Sequence, residues 1–172
     1  MKRTISVLVE NRFGAFNRIS TLFSGKGFDL HSISIGETEI PGLSRMTLVT
    51  SGDDKMMDQI IKQLNRLIDT VKVVDLSKEP MAIRELALIT VQYIKGNRTE
   101  LTSLCNIFEG KVVDITSKTL TLEITGPPDK INAAVNTFLP YGIKEMARTG
   151  VVALKRGEQV RSNEQEFLQN NS

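Results

Sequence analysis

One order of hydrophobic periodicities occurs twice along this 172-residue chain, and that repetition narrows the folds open to it. Ile5, Val7 and Val9 alternate with Ser6 and Leu8, the period of a strand with one strongly buried face. Phe16, Ile19, Leu22 and Phe23 then fall on one helical face over 15–25, and Gly25 and Gly27 suit the end of that helix. The pattern predicts a strand over 28–39, a turn at Pro41-Gly42 and a return strand over 44–51. Gly52-Asp53-Asp54 supplies a turn and a helix N-cap, after which Ile60, Ile61, Leu64, Leu67 and Ile68 form a second helical stripe. Val71, Val73 and Val74 mark a closing strand over 70–76. The order β-α-β-β-α-β is that of a ferredoxin-like split βαβ unit.

Ser77-Lys78-Glu79-Pro80 is polar and reads as a linker, and beyond it the order returns. A strand is predicted over 85–93, then a helix over 99–108 with Leu101, Leu104, Ile107 and Phe108 inward. A hairpin follows over 110–115 and 120–125, with its turn near Lys118. Gly126-Pro127-Pro128-Asp129 opens a helix with Ile131, Ala134, Val135 and Phe138 inward, proline being well placed in a first turn. A closing strand is expected over 143–146 and another short one over 151–154. Laid on each other, Phe16, Ile19, Leu22 and Phe23 match Leu101, Leu104, Ile107 and Phe108, while Gly52 and Lys55 match Gly126 and Lys130. The predicted fold class is α+β, two tandem ferredoxin-like βαββαβ domains at 1–77 and 81–157, followed by a polar tail at 158–172.

Composition removes several classes of function. A formal charge of +2, with Lys and Arg scattered among Asp and Glu, gives no basic stripe for nucleic acid. The single Cys105 excludes an internal disulfide framework and a cysteine-rich zinc site. The apolar runs are far shorter than a membrane span. The strand pattern starts within the first residues, so no secretory leader is expected and the cytoplasm is the expected compartment.

The corner between the first strand and the first helix carries the clearest functional signal. Asn11 ends the strand and Gly14 precedes the helix, leaving unpaired backbone N–H groups at a helix N-terminus beside a side-chain amide. Gly14 has no side chain, so a carboxylate can approach those amides closely. Asn11 can donate to a carboxylate or accept from an ammonium group. The alternative is that Asn11 ends the strand and Gly14 eases a turn, with no ligand at all. The second half carries Thr99 where the first has Gly14, so the corner is expected once. Asp29 opens the second strand, where it is either a surface acid or, across an interface between two such sheets, a group facing another chain's Asn11. His31 is the only histidine and reads as a surface or interface residue rather than a metal ligand. Cys105 lies between apolar helix positions and reads as a buried structural thiol. No catalytic triad, paired acids or cofactor motif is apparent.

Several segments resemble a known family. Val9-Glu-Asn-Arg-Phe-Gly-Ala15, Leu22-Phe-Ser-Gly-Lys-Gly-Phe28, Ile35-Gly-Glu-Thr-Glu39, Gly42-Leu-Ser-Arg-Met-Thr47 and Gly52-Asp-Asp-Lys55 are similar to the small regulatory subunit of acetolactate synthase (acetohydroxyacid synthase). Ile107-Phe-Glu-Gly-Lys-Val-Val-Asp-Ile115, Glu123-Ile-Thr-Gly126 and Ala147-Arg-Thr-Gly-Val-Val152 resemble the same subunit, so the likeness is collinear over about residues 2–157. The resemblance implies an N-terminal ACT domain, a related C-terminal domain, and a homodimer whose ACT sheets pair side by side. It implies a catalytic large-subunit partner that holds thiamine diphosphate (ThDP), Mg²⁺ and FAD, this chain holding no cofactor. It implies activation of that partner and feedback inhibition by a branched-chain amino acid, valine first among them. By position, the effector site would comprise Asn11, Gly14 and the backbone of Phe13 and Ala15, with Asp29, Leu30 and Ile33 from the other protomer. The family usually has Asn where this chain has Asp29, so the identity of the effector stays open. A free-standing amino-acid-binding protein and an enzyme in its own right are the competing readings.

Overall fold

The computed structural model describes residues 1–94 and 96–157, so the tail foreseen at 158–172 lies outside the described residues. The chain divides into two compact units, one formed by Met1–Ala82 together with the residues from Ala153 on, the other by Ile83–Val152.

The first unit runs β1 (Lys2–Glu10), α1 (Ala15–Lys26), β2 (Leu30–Glu37), β3 (Leu43–Ser51), α2 (Asp54–Leu64) and β4 (Thr70–Asp75). Its four strands lie in the order β2-β3-β1-β4. Both β1 and β2 pair antiparallel with β3, so those two strands run in the same direction. Alternation sends Ile5, Val7 and Val9 of β1 and Met46 and Leu48 of β3 to one face, where Ile19 and Phe23 of α1 and Met57, Ile60 and Leu64 of α2 cover them. On the opposite face Leu8 packs with Ile40 and Leu43. Thr47 is buried on that face too, and its Oγ1 accepts from the Ala153 N–H at 3.4 Å. The polar stretch after β4 is not a free linker: Leu76–Lys78 forms a 3₁₀ turn, Leu76 is buried, and Ser77 Oγ accepts from the Thr4 N–H at 2.7 Å.

The second unit repeats the order with β5 (Met81–Gln92), α3 (Arg98–Ile107), β6 (Lys111–Ile115), β7 (Thr119–Gly126), α4 (Pro128–Phe138) and β8 (Ile143–Arg148). The strand order is β6-β7-β5-β8, and β9 (Val152–Lys155) pairs with β5. Ala87, Ile89 and Val91 of β5 meet Leu122 and Ile124 of β7 beneath Leu101, Cys105, Ile131 and Phe138. The α+β class with two ferredoxin-like units is as the periodicities predicted.

The helical stripes are less regular than the sequence suggests. α1 starts at Ala15, so Ala15, Ile19 and Phe23 form its inward line and Phe16 is left on the flank, 44% exposed. α2 stops at Leu64 with Asn65 as its C-cap, which leaves Ile68 beyond the helix and 77% exposed, while Met57 takes the inward position. In α3 the inward residues are Leu101 and Cys105, and Ile107 points outward. The strand predicted from residue 28 begins at Leu30, and the one expected to close at residue 146 continues to Arg148.

Candidate functional site

The end of β1 is held from both sides. The Glu10 N–H donates to the Asp69 carbonyl at 2.9 Å and the Asn11 N–H to the Gly42 carbonyl at 2.7 Å. The chain then reverses, with the Arg12 N–H bonded to the Glu10 carbonyl at 2.8 Å and the Ala15 N–H to the Arg12 carbonyl at 3.2 Å. Gly14 occupies the N-cap of α1 at φ 87° and ψ −1°, in the left-handed region that glycine enters without steric cost. No side chain caps α1 and no acid lies in its first turn. By contrast α2 is capped by Asp53, which accepts from the Met56 N–H at 2.8 Å, and carries Asp54 in its first turn. The start of α1 therefore retains the positive end of its dipole uncompensated, a favourable setting for an anion.

A groove of about 520 Å³ opens at this corner, lined by Phe13, Gly14, Asn17, Arg18, Thr21, Leu22 and Leu67. One wall is an ion pair that the sequence did not disclose. Arg18 Nε donates to Asp69 Oδ2 at 2.5 Å, and Nη2 donates to Asp69 Oδ1 at 3.3 Å and to the Phe13 carbonyl at 3.4 Å. Asp69 is 3% exposed, so its charge is withdrawn from water and held by the guanidinium. The hydrogen bond from Arg18 keeps the Asp69 carboxyl below its ordinary range, and the same bond raises the guanidinium value further. The two residues are 51 apart in sequence, and no local pattern links them.

The residues foreseen as an effector site fall into two groups. Asn11, Phe13, Gly14 and Ala15 are successive members of the corner; Asn11 and Phe13 are exposed, whereas Ala15 is buried and its N–H is already given to the Arg12 carbonyl, so the expected role of its backbone in the carboxylate cradle is not met within this chain. Asp29 is exposed and directly precedes β2, its carbonyl accepting from Thr50 Oγ1 at 2.5 Å, while Leu30 and Ile33 pack partly against the first unit's core. Within one chain these groups sit at opposite ends of the sheet. Leu30 pairs with Thr50, which pairs with Arg3 at the beginning of β1, whereas Asn11 follows Glu10 at its other end. Seven strand steps separate Arg3 from Glu10, about 23 Å. The structure thus gathers Asn11, Phe13, Gly14 and Ala15 and keeps Asp29, Leu30 and Ile33 apart from them in the same chain.

His31 is exposed, with Nε2 2.5 Å from Ser51 Oγ. Cys105 is buried, and desolvation pushes its thiol pKa upward. Among the described residues no group of three or more His, Cys, Asp and Glu could hold a metal ion. Among the same residues no helix is long and apolar enough to cross a membrane.

Two βαββαβ units, the first opening on an uncapped glycine corner, are the architecture of ACT-like ferredoxin-fold proteins. Comparison with known proteins gives the same result. Residues 5–72 match the family described as AHAS small subunit-like ACT domain, and residues 84–157 match the family described as small subunit of acetolactate synthase. The acetolactate synthase small subunit of Aquifex aeolicus is 48% identical over 167 residues, covering 96% of this chain and 86% of that one. The probable acetolactate synthase small subunit of Archaeoglobus fulgidus is 46% identical over 157 residues, covering 91% and 98%. The crystal structure of the Thermotoga maritima small subunit superposes with a TM-score of 0.84 at 37% identity, covering 92% of this chain and 99% of that one. The chain belongs to the acetolactate synthase small-subunit family. Membership implies a regulatory, non-catalytic role beside a catalytic large subunit, in branched-chain amino acid biosynthesis.

Proposed function

We propose that this chain raises the activity of an acetolactate synthase catalytic subunit and makes it subject to feedback inhibition by a branched-chain amino acid, valine first among them. The effector binds between the ACT units of a homodimer. ThDP, Mg²⁺ and FAD, with the carbon–carbon chemistry they support, belong to the catalytic subunit.

The observation that carries this reading is the separation of the two residue groups along the sheet. β2 is an outermost strand among the described residues, and an outer edge of a sheet can pair with another strand. Its last residue, Glu37, pairs with Ser44, which pairs with Val9, so β2 ends at the same end of the sheet as Asn11. Antiparallel pairing of β2 with the same strand of a second copy sets the start of one β2 beside the end of the other. The partner's Asp29, Leu30 and Ile33 then come to the end that carries Asn11 and Gly14. The corner amides and Asn11 hold the effector carboxylate, the partner's Asp29 accepts from its ammonium, and the partner's Leu30 and Ile33 meet its side chain. Effector bound in this way favours one arrangement of the dimer, and inhibition follows from a different interaction of that arrangement with the catalytic subunit.

Titration of valine, leucine and isoleucine into a reconstituted large-plus-small complex, following acetolactate formation, tests the proposal. The chain is expected to raise the rate, and a branched-chain amino acid to lower it at millimolar concentration. Absence of any response, together with no heat of binding to the isolated chain, sinks the proposal. Asp29→Asn probes the departure from the usual family residue: an altered rank order among the three amino acids is expected, with the corner intact.

A further inference from the structure

Resting on that reading, we propose that Arg18 reads the α-carboxylate of the effector and that Asp69 is the pin that aims it. Among the described residues the hydrogen bonds from Arg18 run from Nε and Nη2 to Asp69 and from Nη2 also to the Phe13 carbonyl. The guanidinium lies beside Gly14: a Cβ built on Gly14 would stand 3.7 Å from Nη1, 3.9 Å from Cζ and 4.0 Å from Nη2. Gly14 and Arg18 line the same groove, so a carboxylate at the corner amides lies beside the guanidinium. Asp69 is nearly fully buried and Arg18 about half-buried, so the acid is fixed and the guanidinium is held by it at the wall of the groove. An arginine already held on one side loses little freedom when its other side takes a carboxylate. Charge-assisted bonds of this kind are about twice as strong as neutral ones, so removing the charge from either side should be measurable.

This assigns to Arg18 the discrimination between a free amino acid and its amide. L-valinamide retains the side chain and the ammonium group but lacks the negative charge. Calorimetry on the full-length chain should show valine binding about 100-fold more tightly than valinamide, and Arg18→Gln should reduce that ratio to about 10-fold or less. Arg18→Lys restores the charge without the pinned geometry and should give an intermediate ratio. If Arg18→Gln does not yield folded protein, Arg18→Lys carries the test, and its ratio must still fall below that of the parent. If Arg18 served only to brace the helix, its variants would weaken valine and valinamide equally; an unchanged ratio overturns the proposal and leaves the effector site standing. If the parent chain binds no branched-chain amino acid, the effector site itself falls, and the role of Arg18 falls with it.

Discussion

The two units share a topology and yet open their first helices with opposite chemistry. In the first, Gly14 stands at the N-cap without a capping side chain, and the first turn carries Arg18, tied to Asp69 one residue before β4. In the second, Asn97 holds the N-cap position, its Oδ1 accepts from the Ile94 N–H at 3.1 Å, and the first turn carries Glu100. Glu100 accepts from the Tyr141 hydroxyl at 2.6 Å, and Tyr141 lies two residues before β8. Each unit thus links the start of its first helix to the approach of its last strand. A cation held by a buried acid makes the first corner hospitable to an anion. A carboxylate in the first turn of α3 already complements its dipole and repels one. The same fold position can brace a helix or present a binding surface.

The widest effects should come from the cores, because the two units are expected to respond separately. Phe23 and Phe138 are fully buried in different clusters, and truncating either to Ala should cost about 3–5 kcal/mol. Hydrogen exchange locates the loss: amides of β1 and β3 should exchange faster in Phe23→Ala, and amides of β5 and β7 in Phe138→Ala. Equal acceleration throughout in either variant would break the description of two cores.

Substituting the corner glycines separates binding from folding. Gly14 (φ 87°) and Gly96 (φ 119°) both have positive φ, so an Asp at either position carries backbone strain. Gly14→Asp also puts a negative charge where the effector carboxylate is proposed to sit, and a loss of at least about 100-fold in affinity, near 2.7 kcal/mol, is expected. Gly96→Asp should shift the thermal midpoint similarly and leave effector affinity within about threefold. Comparable losses of affinity in both variants would show that strain, rather than the corner, controls binding.

The units should also weaken at opposite ends of the pH scale. Asp69 has a folded pKa below its ordinary 3.8, chiefly through the Arg18 hydrogen bond. Its contribution is therefore complete above about 3.8 and disappears as pH falls through the lower folded value. Tyr141 is raised above its ordinary 10.0, chiefly by its bond to Glu100, so its contribution is complete below about 10 and lost as pH rises through the folded value. Glu109, held low by Lys130, adds an acid-side contribution in the second unit, but it is 85% exposed and salt will screen it. Unfolding curves at high salt should show the acid slope reduced by Asp69→Asn and the alkaline slope reduced by Glu100→Gln. A variant that flattened the opposite limb would contradict the pairing.

Much of this was readable in the sequence. The alternation at Ile5, Val7 and Val9 and the stripe at Ile131, Ala134 and Phe138 fixed two units of one topology, because burial repeats with local period. Gly14 was legible as a special position for the same reason: glycine before a helix reports on the backbone at that residue. What escaped depends on contacts distant in sequence. The Arg18–Asp69 pair spans 51 positions and leaves no local signature. Met57 was missed because the apolar stripe was read through Leu67 and Ile68, although the helix ends at Leu64. The match of Gly14 with Thr99 failed likewise: α3 starts at Arg98, so Thr99 lies inside the helix and Asn97 takes the N-cap.

The smallest expected effect concerns the second helix of each unit, where the fold is met by different local chemistry. Gly52 and Gly126 precede α2 and α4, and a Cβ on either would collide with the side chain four residues on, Met56 at 2.9 Å and Lys130 at 2.5 Å. Both helices therefore fold a side chain back over a glycine, but they begin differently. Asp53 caps α2 through the Met56 N–H, whereas α4 begins with Pro128 after Pro127, and proline at the first helical position has no N–H to satisfy. Asp53→Ala removes an acceptor and a favourable charge, so about 1 kcal/mol should be lost, with Asn at the same position retaining most of it. Pro127→Ala acts by loosening the unfolded chain and should cost about 0.4–1 kcal/mol. Urea unfolding distinguishes the two mechanisms, because Asp53→Asn should keep most of what Asp53→Ala loses, whereas Pro127→Asn should lose as much as Pro127→Ala. If Asp53→Asn lost as much as Asp53→Ala, the cap of α2 would owe nothing to its side-chain acceptor, and the contrast between the helix starts would reduce to backbone stiffness.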